Sequence, residues 1–412
     1  MMRRECVNFC AARSALGALA CALAAALLPR TAVAQQDLLT FRLGSTPTWD
    51  TNVFRVPDTV TDPQLARGIS GKSDLITTTN VGLQFNKAYA QQSLLFDIGR
   101  TATRHDKFRF LDRNAINYRS AWQWHLTPRV SGTLSADRAQ SIVGFDDTQA
   151  GTLITTVSRN RNLSVDALLF GGWHLLAGTG RSERETSQSF FAVPASDQVA
   201  ADFGLRYDGA TRGSMTFTRR STRGTNTGQE VDPVNFVDNA FTQQDSELRA
   251  TWVTSGKSTL NGQLSRVERR HEHIPQRNFS GIAGGATYAW TPTGRLTLSV
   301  SATRAISPFA TGTSATYRVD DTLAFAPVWR ASDKISLNMR ASRRATAFLG
   351  PVVPVAGPLQ RDIVTSAQFG ADWSPHPKLV LRATLQRDRR TSTDAALFFN
   401  YTAASLSATL TF

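Results

Sequence analysis

Apolar and polar residues alternate with a period of two along most of the chain, which is the pattern of β-strands. The clearest example is the stretch 286–304, ATYAWTPTGRLTLSVSATR. Its first half places Trp290 on the apolar parity, and its second half places Leu298 and Val300 on one parity with Ser and Thr between them. The turn TPTG between the halves holds a proline and a glycine, which favour chain reversal. The pattern therefore predicts a β-hairpin.

This hairpin recurs along the chain. Each copy has an aromatic residue before its turn, and these residues follow one another at intervals of 34 to 49 residues: Phe85, Trp124, Trp173, Tyr207, Trp252, Trp290, Trp329 and Trp373. A period near forty also occurs in β-propellers. Each unit here, however, holds only two strands, with one short turn and one longer polar loop. That asymmetry is typical of outer-membrane barrels.

The hairpins set the strand number. Eight hairpins, a first strand over 39–53 and a last strand over 401–412 give eighteen antiparallel strands. The stretches 171–180 and 323–329 are irregular, so the prediction extends from sixteen to eighteen. We therefore predict an all-β fold, a transmembrane outer-membrane β-barrel with both termini on the periplasmic side.

Tryptophan marks one end of the predicted barrel. The hairpin tryptophans lie on the apolar parity, where they would form a periplasmic aromatic girdle: Trp124, Trp173, Trp252, Trp290, Trp329 and Trp373. In a β-sandwich these rings would be core, but a sandwich does not place a tryptophan at one end of nearly every hairpin. The chain ends on an alternating strand with Phe412, which resembles the signal that barrels present to their insertion machinery.

The N-terminal segment predicts export. A basic start, an apolar run over 15–28 and the motif Ala32-Val33-Ala34 indicate a signal peptide over 1–34. A membrane anchor is the alternative, but the run is short for a span. Cleavage after Ala34 would remove all three cysteines, which excludes disulfides and thiol chemistry from the mature chain. We expect a single barrel domain over 35–412 in the outer membrane of a Gram-negative cell.

The polar parity of the strands faces the predicted lumen and carries charges of both signs. We name five residues there the lumen arginines: Arg119, Arg206, Arg249, Arg340 and Arg382. One interpretation is that they form cross-strand pairs that brace a polar interior. The other is that they contact a passing sugar chain or carboxylated ligand.

Arginine also collects at the external ends of the strands, in a chain of formal charge +14. Four of these residues have inward parity, and we name them the mouth arginines: Arg220, Arg269, Arg344 and Arg390. A basic mouth would concentrate anions. Others have outward parity, where the phosphates of lipopolysaccharide lie: Arg138, Arg219, Arg266, Arg304 and Arg387. Anion steering and lipid anchoring both remain open, whereas an exported barrel makes a nucleic-acid partner improbable despite the basic charge.

No residue pattern indicates catalysis. His271 and His273 would share one strand face, as a metal pair does, but no third ligand is evident, so we predict no metal site, no cofactor and no catalytic residue. The apolar stretch GPVVPV opens the loop 350–358, which either folds into the mouth as a constriction or packs on a neighbouring loop.

Several stretches resemble a known family. They are WDTNVFRVP at 49–57, NYRSAWQWHLTPRVSGTLSADR at 117–138, VDPVNFVDNAF at 231–241, HIPQRNFSG at 273–281, YAWTPTGRLTL at 288–298 and DTLAFAPVWR at 321–330. They are similar to the EpsL-type outer-membrane proteins of exopolysaccharide-biosynthesis operons, which are associated with exosortase B. The resemblance implies an outer-membrane barrel that works with exopolysaccharide and its export proteins, and it carries over no catalytic residue.

Three functions follow as hypotheses. The first is a non-enzymatic conduit or assembly component for an acidic exopolysaccharide. The second is a general, weakly anion-selective porin. The third is a barrel enzyme that modifies polysaccharide or lipid.

Overall fold

A computed structural model describes residues 38–60, 71–145, 153–187, 194–210, 212–309, 315–353 and 359–412. These residues form eighteen strands: β1 Leu39–Asp50, β2 Asp74–Tyr89, β3 Gln92–His105, β4 Arg113–Thr127, β5 Val130–Ile142, β6 Thr155–Leu168, β7 Trp173–Thr186, β8 Ser196–Asp208, β9 Ser214–Asn226, β10 Ala240–Ser255, β11 Ser258–His271, β12 Phe279–Thr293, β13 Leu296–Pro308, β14 Tyr317–Arg330, β15 Ile335–Leu349, β16 Arg361–His376, β17 Leu379–Ser392 and β18 Phe399–Thr411. Short 3-10 turns lie at Arg109–Leu111, Pro275–Arg277 and Ala395–Leu397.

The strands form one closed antiparallel sheet. Every strand pairs with its neighbours along the chain, and β1 pairs with β18, which completes the circle. The predicted all-β barrel of eighteen strands is therefore confirmed. The two irregular stretches form complete strands, β7 and β14. Among the residues that the structure describes, no helix is long and apolar enough to cross a membrane.

The two ends of the barrel differ in their connections. Short turns join β2 to β3, β4 to β5 and each later pair in the same way at one end, and longer segments join the strands at the other. The start of β1 and the end of β18 meet at the short-turn end, where Phe41 and Phe412 exchange backbone hydrogen bonds of 2.6 and 3.0 Å. Their rings lie 6.0 Å apart. The predicted signal peptide over 1–34 lies outside the described residues.

A hydroxyl group holds several of the short turns. Thr127 Oγ1 accepts hydrogen bonds from the backbone N–H groups of Arg129 and Val130 at 3.2 and 3.1 Å. Thr293 and Ser332 do the same for the two residues that end their turns. The strand register also shifts just after a tryptophan in four of these hairpins, which is the effect of a β-bulge. In hairpins that have both the bulge and the hydroxyl-held turn, the repeated unit is therefore a tryptophan, then a bulge, then a Ser/Thr turn.

Each strand has one outward and one inward face. The outward face carries large exposed apolar side chains such as Val81, Phe203, Leu264 and Leu406, whose exposed fractions lie between 54 and 60%. The inward face carries Ser, Thr, Asn and most of the ion pairs. This polarity is the reverse of a soluble protein and matches a barrel with lipid outside and water inside.

Gly132 on β5 should be intolerant of a side chain. A Cβ atom there would lie 2.3 Å from Cζ2 of Trp124 and 2.4 Å from the carbonyl oxygen of Ser164. We expect Gly132→Ala to lower the free energy of unfolding by about 1–3 kcal/mol, because the Trp124 ring and the backbone must move. Urea unfolding of the refolded barrel in lipid vesicles, followed by tryptophan fluorescence, measures the change.

Gly99→Ala is the matched control, because the nearest atom to its added Cβ is a carbonyl oxygen at an ordinary 3.6 Å. Its effect should stay within about 0.5 kcal/mol. Equal losses in the two variants would refute the role of the Trp124 contact.

Candidate functional site

The inner wall carries nearly balanced charge. Strand parity and register place these arginines inside: Arg42, Arg113, Arg119, Arg184, Arg206, Arg220, Arg249, Arg269, Arg318, Arg330, Arg340, Arg344, Arg382 and Arg390. The inward carboxylates are almost as many: Asp50, Asp74, Asp97, Asp137, Asp166, Asp202, Asp208, Asp245, Glu247, Asp320, Asp362, Asp372 and Asp388. The net charge of the described inner wall is therefore close to zero.

The basic excess lies on the outer wall. Its strand arginines are Arg100, Arg104, Arg138, Arg159, Arg161, Arg181, Arg219, Arg223, Arg266, Arg270, Arg304, Arg343, Arg361, Arg387 and Arg389. Only a few strand carboxylates face the same way: Glu183, Glu185, Asp197, Glu268 and Asp321. Nearly all of these residues lie toward the long-connection end of their strands. The positive charge of the strands is therefore concentrated outside the barrel rather than in its lumen.

Arg206 belongs to a four-residue network on the inner wall. Its Nη1 lies 2.7 Å from Asp166 Oδ2, and its Nε lies 3.2 Å from Asp208. His174 contacts the same two carboxylates, with Nδ1 at 2.6 Å from Asp166 and Nε2 at 3.3 Å from Asp208. Two carboxylates thus surround two basic groups, which makes this sector a brace across β6, β7 and β8.

Arg119 lies in a row of alternating charge. Asp97 and Asp137 are its register partners on β3 and β5. Asp97 also forms an ion pair with Arg42, and Asp137 accepts a hydrogen bond from Asn160 at 2.9 Å. This row lines a hollow of about 560 Å³ on the inner wall. The side chains that a polar solute would contact here are arranged as donors and acceptors in turn.

The other lumen arginines vary in how they are paired. Arg382 forms an ion pair with Asp372, which also accepts a hydrogen bond from Asn338 at 3.2 Å. Arg249 pairs with Glu247 two residues earlier on the same strand, at 2.6 Å. Arg340 faces inward opposite Gln368. The structure therefore brings Arg206 and Arg382 into cross-strand braces and leaves the side chain of Arg340 facing the lumen.

The mouth arginines do not form one exposed basic ring. Arg390 lies 2.6 Å from Asp362, and both side chains are buried. Arg220 lies 3.2 Å from Asp202 and is exposed. Arg269 is buried and stacks on the ring of Phe241. Arg344 faces inward opposite Thr322 and Val364. The four therefore differ in environment, and partner carboxylates offset the charges of two of them.

An apolar cluster, which no sequence pattern indicated, narrows one side of the mouth. Phe54 and Phe108 are fully buried, with ring centroids 4.7 Å apart, and Phe145 packs at 5.4 Å from Phe54. The cluster packs against Ile76, whose parity on β2 is inward. The segments after β1, β3 and β5 therefore turn into the barrel. Such loop residues have no periodicity that would reveal their burial.

Two carboxylates hold the mouth segments in the same way, eight strands apart. Asp74 at the start of β2 accepts hydrogen bonds from the backbone N–H groups of Lys107 and Phe108 at 2.9 and 3.0 Å. Asp238, just before β10, accepts them from His273 and Ile274 at 2.7 and 2.8 Å. In each case the carboxylate lies at or just before the start of one strand and accepts hydrogen bonds from the loop that follows the next strand along the chain. This clip fixes the shape of the mouth at two places.

The histidine pair is divided. His271 faces inward and is half-buried, whereas His273 lies in the following loop, with Nδ1 3.0 Å from Asp238 Oδ1. Within the described ranges no group of three His, Cys, Asp or Glu residues could hold a metal ion. Residues 354–358 of the predicted constriction lie outside the described residues.

The predicted girdle residues lie together at the short-turn end. Five of the tryptophans, all but Trp124, are exposed on the outer wall by 41 to 61%. Trp124 is less exposed, because its indole lies against Gly132. Trp173 packs on Tyr207 at 5.0 Å. A belt of rings at this level suits a membrane interface.

Solved structures share this architecture. The outer membrane protein OpdK from Pseudomonas aeruginosa matches with a TM-score of 0.51 and 10% identity, over 91% of this chain and 99% of that chain. OccK2 (OpdF) from the same organism, solved in complex with glucuronate, matches with a TM-score of 0.53 and 11% identity, over 91% and 98%. OccK9 (OpdG) from this organism gives the same values.

No protein-family model and no characterised protein sequence matches the chain. At the identities of the solved structures, the likeness shows the fold alone. The chain is a closed, eighteen-stranded antiparallel β-barrel with the fold of these outer-membrane proteins.

The Asp238 clip predicts an acid-sensitive mouth. Burial raises the pKa of Asp238, but hydrogen bonds from the His273 side chain and from the N–H groups of Ala240, His273 and Ile274 outweigh it and hold the pKa at about 2. A depressed folded-state pKa means that the stabilisation is present above the unfolded value, near 4, and is lost as the pH falls towards 2. The protection factors of the His273 and Ile274 amides, which compare their exchange with that of an unfolded chain at the same pH, should therefore fall over that interval.

Asp238→Asn should accelerate exchange at these two amides already at neutral pH, while exchange at Lys107 and Phe108, which Asp74 holds, stays unchanged. Protection factors that are independent of pH in the native protein and unchanged in the variant would refute the clip.

Proposed function

We propose that this protein is a non-enzymatic diffusion channel for small polar solutes. One observation carries the proposal: the sheet closes with eighteen strands around a wall of ionisable and hydroxyl side chains. Barrels of sixteen to eighteen strands are wide enough to enclose an aqueous channel. Ionic groups on the inner face are tolerated because water solvates them there.

The selectivity of this channel is weak. Inward arginines only slightly outnumber inward carboxylates, and many are paired, so the lumen prefers anions by a small margin. The solved complex of OccK2 with glucuronate supports a carboxylated solute as a candidate. The overall charge of the chain suggests strong anion steering. We do not propose it, because most of that charge lies on the outer wall.

A narrower candidate is passage of an acidic exopolysaccharide, as the resemblance to EpsL-type proteins implies. The observation that favours it is the row Asp97, Arg119, Asp137 and Asn160, whose alternating donors and acceptors suit a chain of hydroxyl and carboxylate groups. In this function the barrel works with the proteins that export the polymer.

We also propose that the outer wall binds the phosphates of lipopolysaccharide. Arg219 and Arg266 are both register partners of Ser246, so they lie in one row across three strands. Just below them is a groove of about 330 Å³, whose apolar lining includes Phe217, Leu264 and Ile282. A phosphate on the arginines would place an acyl chain along this groove.

Planar-bilayer recording of the refolded barrel tests the channel. We expect stepwise currents that are proportional to voltage, with chloride slightly more permeant than potassium. Arg206→Gln should lower the chloride preference, because Asp166 and Asp208 then lose a compensating charge. Arg161→Gln, which removes the same charge from the outer wall, should leave the preference unchanged.

Absence of current from a correctly inserted barrel would refute the channel. Among conducting barrels, block by a polyuronate such as alginate, but not by a neutral dextran of equal length, would favour the polysaccharide. Free conduction in the presence of both polymers would favour small solutes alone.

The lipid contact makes a separate prediction. Lipid A in phosphatidylcholine vesicles should raise the unfolding temperature of the native barrel, and the double variant Arg219→Gln/Arg266→Gln should lose most of that increase. Arg220→Gln, which removes the adjacent inward charge, should retain it. A double variant that responds to lipid A like the native protein would refute the site.

A further inference from the structure

A small, partly enclosed cavity lies in the mouth on the side opposite to the Phe54 cluster. Inward residues of β8, β9 and β11 line it, among them Gln198, Asn226 and Arg269, and loop residues including Arg277 and Phe309 cover it. Its volume is about 120 Å³. A benzene molecule occupies an engineered cavity of about 150 Å³, so this space holds a few heavy atoms.

Arg269 is the central feature of the cavity. Its exposed fraction is 7%, and its guanidinium carbon lies 3.3 Å from the centre of the Phe241 ring. Nη1 donates to Gln243 Oε1 at 3.3 Å, while the buried Nε has no hydrogen-bond partner among the described residues. A buried charged donor without a partner is costly. A bound anion would therefore supply the hydrogen-bond acceptor that Arg269 Nε lacks among the described residues.

The nearby carboxylates are already engaged. Asp238 Oδ1 accepts from the Ala240 N–H group and from His273 Nδ1, and Oδ2 accepts from the N–H groups of His273 and Ile274. Both oxygens of Asp245 accept from Gln243 Nε2 at 3.1 Å. No ion pair joins Arg269 to a described carboxylate, so its charge is not neutralised by direct contact within the described wall.

Further basic groups share the cavity. Arg277 is 3% exposed and donates from Nε to the carbonyl oxygen of Phe236. Arg184 and His271 complete this side of the lining, and His271 Nδ1 is buried without a partner among the described residues. The lining also includes the apolar surfaces of Phe241 and Phe309. Cationic donors and aromatic walls within one small space suit a carboxylate attached to an apolar body.

We propose that this cavity is a binding site for a small monocarboxylate whose apolar part is a short alkyl group. The carboxylate binds Arg269, and the apolar part packs against Phe241 and Phe309. The site deepens the proposed channel function, since it lies in the mouth through which a solute passes. Its occupancy is nevertheless a property of the folded barrel and needs no ion flow.

Isothermal titration of the refolded barrel with propionate tests the site. We expect saturable binding of one propionate per barrel, and no comparable binding of 1-propanol, which has the same number of carbon atoms but no charge. Arg269→Gln should weaken propionate binding at least tenfold. Arg340→Gln removes an inward charge outside the cavity and should bind propionate like the native protein.

A second variant covers the case in which Arg269→Gln does not fold. Gln198→Glu keeps every arginine and adds a tethered carboxylate to the cavity wall, so it should abolish propionate binding in a barrel that still migrates as folded on unheated gels. Binding that survives Gln198→Glu, or that falls equally in Arg340→Gln, would overturn the site. Absence of binding in a conducting barrel refutes this site alone, whereas binding in a barrel that conducts no ions refutes the channel alone.

Discussion

Closure of the sheet between the first and last strands is the constraint on which the rest of the molecule depends. In a lipid bilayer every backbone N–H and C=O group must find a partner within the protein, and only a closed sheet leaves no unpaired edge. The pairing of β1 with β18 meets this requirement. Once the sheet is closed, strand parity separates lipid-facing from water-facing side chains. The short turns, the tryptophan belt and the inward ion pairs all follow from that separation.

The separation of the two faces also determines where the positive charge of the protein acts. A formal charge of +14 suggests an anion-attracting pore, yet the inner wall is close to neutral and the surplus arginines face outward. Arginines such as Arg219 and Arg266 lie above the apolar band, where a lipid headgroup would lie. The charge on the inner face, rather than the net charge of the whole chain, therefore determines which ions a barrel would favour.

The sequence was informative where a repeated pattern exists and silent where it does not. Alternation predicted the barrel and its strand number, because a period of two persists even through the irregular β7 and β14. The inward direction of Arg206 and Arg382 followed from the same parity. Their partners did not, because cross-strand neighbours depend on register. The Phe54 cluster and the Asp74 and Asp238 clips lie in aperiodic loops, so neither their burial nor their contacts could be predicted. The stretches 49–57, 231–241 and 273–281, which carry much of the family resemblance, supply many of the residues that build the mouth.

The loop after β1 has a consequence for the seam of the barrel. Asn52 donates from Nδ2 to the carbonyl oxygen of Asn400 at 3.1 Å, and the Arg55 guanidinium lies 3.5 Å from the centre of the Tyr401 ring. Thr51 and Thr402 add two further hydrogen bonds at the same place. During membrane insertion this junction can form only after the last strand has arrived. The same contacts then act as a latch that opposes sideways opening of the seam towards the bilayer.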